Sequence, residues 1–270
     1  MRIFLAFLCM ALPLTSPTLS AEPKPLWELG LGVLALHRPD YLGADEQTLY
    51  LLPFPNVVYR GDWLKADDDG IHGLLFNSKR WELDISGGGS LPVNSKDNSA
   101  REGMDDLDPA FELGPSLTYK WTIDSPNRIT SHLKTRALIS IGDGGMHYQG
   151  WVFNPEFRWE FQQRAQLRWG ATLQALYGSA DYHGFFHNVA PEFVMPQRAR
   201  YAADAGYGGT ALSGFVRWQP APEWTLFSSV TYHHLGNVSF DDGPLFRQKY
   251  GLYLSFGLSR TLFKSTTLVP

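Results

Sequence analysis

The sequence predicts an all-β protein, a closed antiparallel up-and-down transmembrane β-barrel of about twelve strands, with ten as the alternative count. Three observations carry this expectation. Apolar and polar residues alternate with period two over runs of about 10 to 14 residues, whereas sandwich strands average roughly 5 or 6 and tilted membrane strands need roughly 9 to 11. Tight turns alternate with long loops, as they do between the two sides of an outer-membrane barrel. Aromatic residues make up 14% of the chain, with nine Trp and 26 Gly, yet mean hydropathy is only -0.21, and after Leu14 no apolar run reaches the roughly 18 residues of a membrane helix.

Taken in order, the elements begin with a positive start, Met1-Arg2, and an apolar stretch over 3–14 that is too short to span a bilayer. Small residues follow over 15–21, so 1–21 reads as a secretory signal peptide cut after Ser20 or Ala21, leaving 22–270 as one barrel domain. The single cysteine, Cys9, lies inside that segment. A secreted chain without a thiol must be closed by hydrogen bonding or a core instead of disulfides. The formal net charge of -4 falls by one unit when Arg2 is removed. With no basic cluster, nucleic acid is excluded as a partner.

A first strand is expected from Trp27 to Leu36. The segment 64–76 counted as one strand gives eleven in total and strands the termini on opposite sides. A hairpin turn at Asp67-Asp68-Asp69-Gly70 splits it, giving twelve and returning both termini to the periplasm. Further on, Phe111, Leu113, Pro115, Leu117, Tyr119 and Trp121 share a face opposite Glu112, Gly114, Ser116, Thr118 and Lys120. The same pattern sets Phe153, Pro155, Phe157, Trp159 and Phe161 against Asn154, Glu156, Arg158 and Glu160, and Leu167, Trp169, Ala171, Leu173, Ala175 and Tyr177 against Arg168, Gly170, Thr172 and Gln174. Trp27, Trp81, Trp121, Trp151, Trp218 and Trp224 fall near strand ends, as an interfacial girdle requires. Tight turns are expected around 77–80, 124–127, 163–166 and 220–223, and longer external loops at 91–107, 142–149, 178–207 and 236–249.

The last strand carries Leu252, Leu254, Phe256 and Leu258 on one face and Tyr253, Ser255, Gly257, Ser259 and Thr261 on the other. Pairing it with the first strand leaves no edge open. Its Ser255, Gly257 and Leu262 resemble the terminal signal read by the barrel-assembly machinery, with Arg260 where an aromatic is usual. Outer-membrane lipid and lipopolysaccharide are the expected surroundings.

Several segments together resemble the MipA/OmpV family of outer-membrane proteins. They are a glycine-rich first strand, a loop with Pro39, Tyr41 and Gly43, a proline-marked second strand, and Tyr59-Arg60-Gly61-Asp62. Arg101, Gly103 and Met104 then lead into a strand with Gly114 and Pro115, and "YHGFF" and "RYAADAGYGG" match further on. The resemblance implies a scaffold of the bacterial outer membrane that joins a murein lytic transglycosylase to a bifunctional penicillin-binding protein in peptidoglycan biosynthesis. A small-solute channel or a surface adhesin is the alternative.

The inward faces are expected to carry Glu28, Glu82, Asp84, Glu112, Glu156 and Glu160 against Lys120, Lys134, Arg136, Arg158, Arg168 and Arg217. Selective pores tend to show rings of one sign. Six acids against six bases point instead to charges that pair across a constricted or loop-plugged lumen. A lipid-modifying enzyme would need catalytic groups such as His233 or His234 with Ser239, Asp241 and Asp242. Adjacent histidines on a strand point to opposite faces, so these read as interfacial residues beside a solvated loop and no enzyme is expected. His183 and His187 are four apart, but Gly184 and the aromatics around it favour a loop over a metal-binding helix face, and neither metal nor cofactor is expected. Asp45-Glu46, Asp67 to Asp69 and Asp105-Asp106 read as external loop charge, and the aromatic-rich stretch 178–207 as a lid or adhesive surface.

Overall fold

The computed structural model describes residues 23–67 and 70–269. The expected signal peptide at 1–21 with Cys9, and the turn residues Asp68 and Asp69, lie outside the described residues. Twelve antiparallel strands close into one barrel. They are β1 (Trp27–Pro39), β2 (Gln47–Arg60), β3 (Leu64–Asp67), β4 (Gly70–Asn77), β5 (Trp81–Ser90) and β6 (Ala110–Lys120). The rest are β7 (Asn127–Gly142), β8 (Gly145–Arg164), β9 (Leu167–Gly178), β10 (Gly206–Ala221), β11 (Trp224–His234) and β12 (Tyr250–Lys264).

Closure comes from β12 against β1, in register from Leu254↔His37 to Lys264↔Glu28. The ladder runs on below the wall, where Lys24 and Pro25 pair with Val269 and Leu268. Glycine permits this seam to close tightly: a Cβ on Gly30 would lie 2.0 Å from the Arg260 carbonyl oxygen. The short connections 61–63, 78–80, 165–166 and 222–223 share one end with the first and last described residues, which is the periplasmic end of such a barrel.

The alternation reads directly onto the two faces. Leu31, Leu51 and Phe256 point outward with 64%, 71% and 54% exposure, and the outward band they belong to is far larger than any apolar patch a soluble monomer tolerates. Around its lower rim Trp81 packs on Tyr119 at 4.7 Å, Tyr119 on Trp121 at 4.8 Å and Trp159 on Trp169 at 4.9 Å between ring centroids. Arg260 holds its guanidinium 5.3 Å from the Trp224 ring, a placement that suits the water interface of a bilayer. Inside, the hydroxyls of Ser229 and Ser255 meet at 2.7 Å and those of Ser213 and Thr231 at 2.8 Å.

Two local expectations change. The stretch 142–149 is no loop, because β7 and β8 continue to a hairpin closing at Gly142↔Gly145. Gly144 and Gly145, with φ of +94° and +113°, supply the left-handed backbone that such a tight turn needs. Trp151 accordingly lies inside β8 and not at its end. The Asp67 to Gly70 turn does split its segment, with Asp67 opposite Gly70, but β3 is so short that the turn stands low in the wall and not among the external loops.

Candidate functional site

Ion pairs between neighbouring strands line the inner wall of the barrel. Glu28 meets Arg60 at 2.7 Å, Glu82 meets Lys120 at 2.7 Å and Glu112 meets Arg136 at 3.4 Å. Glu156 receives both Lys134 at 2.7 Å and Arg158 at 3.1 Å, while Glu160 has Arg128 at 3.3 Å and Arg158 at 3.9 Å. Asp84, 3% exposed, has His72 at 3.7 Å. Each of the six expected acids thus has a basic neighbour. Arg168 and Arg217 stand opposite each other across β9 and β10, toward the periplasmic end. The partners that the period-two pattern missed are Arg60, His72 and Arg128. Arg60 and Arg128 sit at strand ends, where alternation has too few neighbours to assign a face, and His72 lies on a strand of eight residues.

Among these pairs lies a polar chamber of about 130 Å³, lined among others by Lys65, His72, Glu82, Asp84, Lys134 and Arg136. On the opposite side of the lumen Phe54 and Phe227 meet edge to face at 6.2 Å. Gly257 makes room for that ring, since a Cβ there would fall 1.9 Å from Phe227. An aromatic contact thus faces a lumen whose ion pairs gather mainly on β5 to β8.

The external mouth is filled by its own loops. Tyr41, Ala44, Val93, Ala100, Leu107, Val189 and Leu245 form a buried apolar cluster drawn from four separate connections. Within the mouth lies helix α1 (Ala180–His187), capped by Ser179, whose hydroxyl oxygen accepts from the Tyr182 amide and from the Trp151 amide at 3.1 Å. The helix fits against β8 because Gly150 has no side chain: a Cβ there would lie 2.3 Å from Ser179 Oγ. This helix replaces the loop expected around Gly184. Tyr182 donates its hydroxyl to Glu112 at 3.2 Å, which joins the plug to the ion pairs below.

Two arginines lock the plug by saturating backbone carbonyls. Arg101, 3% exposed, donates to Phe186 O at 3.2 Å, to Asp105 O at 3.0 Å and to Ser95 Oγ at 3.2 Å. Arg198 donates to Phe193 O at 2.9 Å, Ala100 O at 3.0 Å and Glu102 O at 2.9 Å. Burial lowers the pKa of Arg101 without neutralising a group of such basicity. The rings of His183 and His187 pack on Phe240, at 4.9 Å and 4.0 Å. Burial, with His183 and Arg101 adding, holds His187 down at about 3.

The motif positions now have physical roles. Tyr41 donates its hydroxyl to Leu245 O at 3.0 Å. Gly43, at φ +91°, offers its carbonyl to the amides of Arg247 and Gln248. Pro39 ends β1, and Asp40 beside it accepts from Thr48 at 2.6 Å and Asn98 at 2.8 Å. Gly103, at φ +77°, turns the chain between Arg101 and Met104, which packs on the apolar cluster. In the wall, a Cβ on Gly114 would meet the Thr135 carbonyl at 2.1 Å, and Pro115 falls in a two-residue break in the β6–β7 pairing across which the register is kept. At the other end Arg60 donates to Pro25 O at 2.7 Å, with Gly61 packed under the Tyr59 ring and Asp62 exposed.

The residues considered for catalysis are not brought together. Ser239 donates to Asp204 O at 3.1 Å, Asp242 accepts from Tyr201 at 2.7 Å, and the His233 ring lies 4.4 Å from Tyr253. Likewise Asp106 is no free loop charge, since it accepts the Ser95 amide at 2.7 Å.

The family model described as MltA-interacting protein MipA matches residues 31–262. No curated protein matches the chain. Among solved structures, an outer membrane channel from Pseudomonas putida F1 shares 12% identity over 92% of this chain and 100% of its own, with a TM-score of 0.49. The NanC porin shares 9% over 86% of this chain and 100% of its own, at 0.43. OmpT, an outer membrane protein of Vibrio cholerae, shares 8% over 87% and 97%, at 0.37.

Proposed function

The chain belongs to the family of MltA-interacting protein MipA and is an outer-membrane β-barrel, and from that premise we propose that it is a non-catalytic envelope scaffold. Its periplasmic rim binds a murein lytic transglycosylase and brings it beside a penicillin-binding protein. The observation that carries this reading is the packed external plug, whose buried apolar cluster and two carbonyl-saturating arginines make the mouth a poor conduit. The family description supplies the hydrolase as the first partner to test. The terminal ladder of Lys24 and Pro25 with Leu268 and Val269, anchored by Arg60, adds surface to turns that are otherwise short, and a specific interface needs about 800 Å² per partner. The outward band contacts lipid and lipopolysaccharide, and the last strand is what the barrel-assembly machinery reads during insertion.

A channel for small solutes is the second reading, favoured by the chamber of about 130 Å³ in the lumen. Photocrosslinkers placed in living cells at 78–80, 165–166 and 222–223 separate the two. The scaffold reading expects a murein lytic transglycosylase among the captured proteins. Failure to capture any murein enzyme, together with slower solute uptake on deletion of the gene, supports the channel and removes the scaffold.

A further inference from the structure

The wall of the barrel is interrupted on one side. β2 pairs with β1 along its whole length, from Trp27↔Tyr59 to Pro39↔Gln47, yet it meets β3 only at Tyr59 and Arg60. Beyond the β3–β4 hairpin, β5 meets β4 only from Glu82 to Ile85. The β3–β4 hairpin rises one residue past Tyr59↔Ala66 and three past Gly73↔Ile85, to Asp67 opposite Gly70; above that level no described strand lies between the upper edges of β2 and β5. Tyr50 reaches over the top of this interval, donating its hydroxyl to Pro92 O at 3.3 Å.

An open edge at hydrocarbon depth costs several kcal/mol for each unsatisfied backbone group. The sequence reduces that cost with Pro53 and Pro55. The β1–β2 register passes through both without a break, so their missing N–H groups fall on the open edge, the position where strands tolerate proline. For the same reason a strand from a second copy cannot seal the gap, since two of its carbonyls would find no donor. Across the interval Gly87, Gly88 and Gly89 present no side chains, and Leu49 and Leu51, at 68% and 71% exposure, flank it.

Just below the gap, behind the paired part of β3 to β5, Lys65 of β3 and Glu82, Asp84 and Ser86 of β5 line the polar chamber together with Lys134 and Arg136. Lys65 makes no ion pair among the described residues, and buried Asp84 Oδ1 accepts no hydrogen bond. The chamber's 130 Å³ is about four times the share of one water in the liquid. That suffices for a small polar head but not for a long chain.

We propose that this gap is a side portal by which a free fatty acid passes between the membrane and the lumen. Its carboxylate is held by Lys65 in the chamber, and its acyl chain lies in the slot between β2 and β5. The proposal stands apart from the scaffold reading, which concerns the periplasmic rim.

The test uses the full-length protein in nanodiscs with a diazirine-bearing palmitate. Crosslinks are expected to concentrate at 49–57, at 87–90 and on the strands lining the chamber. Excess unlabelled palmitate should remove them, and lysophosphatidylcholine, which has the chain without a free carboxylate, should not. Lys65→Gln should weaken palmitate competition about tenfold, as expected for one lost charge-assisted hydrogen bond, while the heat-modifiable mobility of the folded barrel is unchanged. Labelling spread evenly around the outward face, equal competition by both lipids, or competition unaltered by Lys65→Gln would each overturn the portal. Should Lys65→Gln fail to fold, the wild-type map and its two competitors decide alone.

Discussion

The Tyr182 hydroxyl lies 3.2 Å from Glu112 Oε1, while Arg136 approaches Oε2 of the same carboxylate at 3.4 Å. A helix in the external mouth and the charged interior of the wall are thereby one connected unit. Burial first, and the charge of Glu112 second, push the Tyr182 phenol well above its ordinary pKa, so it remains a donor throughout the physiological range. Tyr182→Phe leaves Glu112 with one partner fewer and is expected to destabilise the plug by about 1.5–3 kcal/mol. Hydrogen exchange should quicken over 180–187 and leave the strands protected; unchanged exchange in the helix would show that the hydroxyl does not hold it.

Arg101 joins the loop after β5 to helix α1 through the Phe186 carbonyl. Arg101→Ala orphans buried acceptors, each worth about 1–3 kcal/mol, and removes the side chain around which 91–109 folds. Limited proteolysis in detergent should then cut within 91–109 and 179–205, with the strands intact. Arg101→Lys should rescue poorly, because an ammonium cannot span the same three acceptors.

The sign of the pH dependence follows from His187. Its folded value of about 3 lies below the ordinary value near 6.5, so between those two values the unfolded plug binds more protons than the folded one. Stability from this group is complete above about pH 6.5 and is lost as pH falls toward 3, at no more than about 1.4 kcal/mol per pH unit. Protease sensitivity of 179–205 should rise between pH 7 and pH 4.5. A His187→Phe variant, which keeps a ring against Phe240, should flatten that response.

At the periplasmic end, Arg60 holds the N-terminal segment through Pro25 O at 2.7 Å and Glu28 at 2.7 Å. Arg60→Ala should free the ladder of Lys24 and Pro25 with Leu268 and Val269 while the barrel still assembles. Loss of in-cell crosslinks to a murein hydrolase in this variant would tie the ladder to partner binding, whereas unaltered crosslinks would assign binding to the turns.

The sequence was most legible where one face meets lipid and the other does not. Leu252, Leu254, Phe256 and Leu258 must all lie outward once one of them does, so face and register follow from alternation alone. By the same alternation the buried Asp84, Glu156 and Glu160 take the face opposite the outward apolar positions of their own strands. A loop-plugged lumen was expected, but the contacts that order the plug were hidden because they are non-local. Arg101 is bound to Phe186, 85 residues away, and no local spacing announces such a pair. Helix α1 was obscured by Gly184, whose low helix propensity is outweighed by the Ser179 cap and by packing in the mouth. The low hairpin after β3 was obscured too, since alternation reports which face a residue takes and not how high its strand rises.

Planar-bilayer conductance addresses the plugged barrel most directly, comparing the wild-type protein with a variant in which 179–205 is replaced by a short Gly-Ser turn. The wild type is expected to show no lasting ohmic steps, and the variant to insert equally well and conduct steadily. Steady conductance by the wild type at the level of the deletion variant would contradict a lumen closed by its loops.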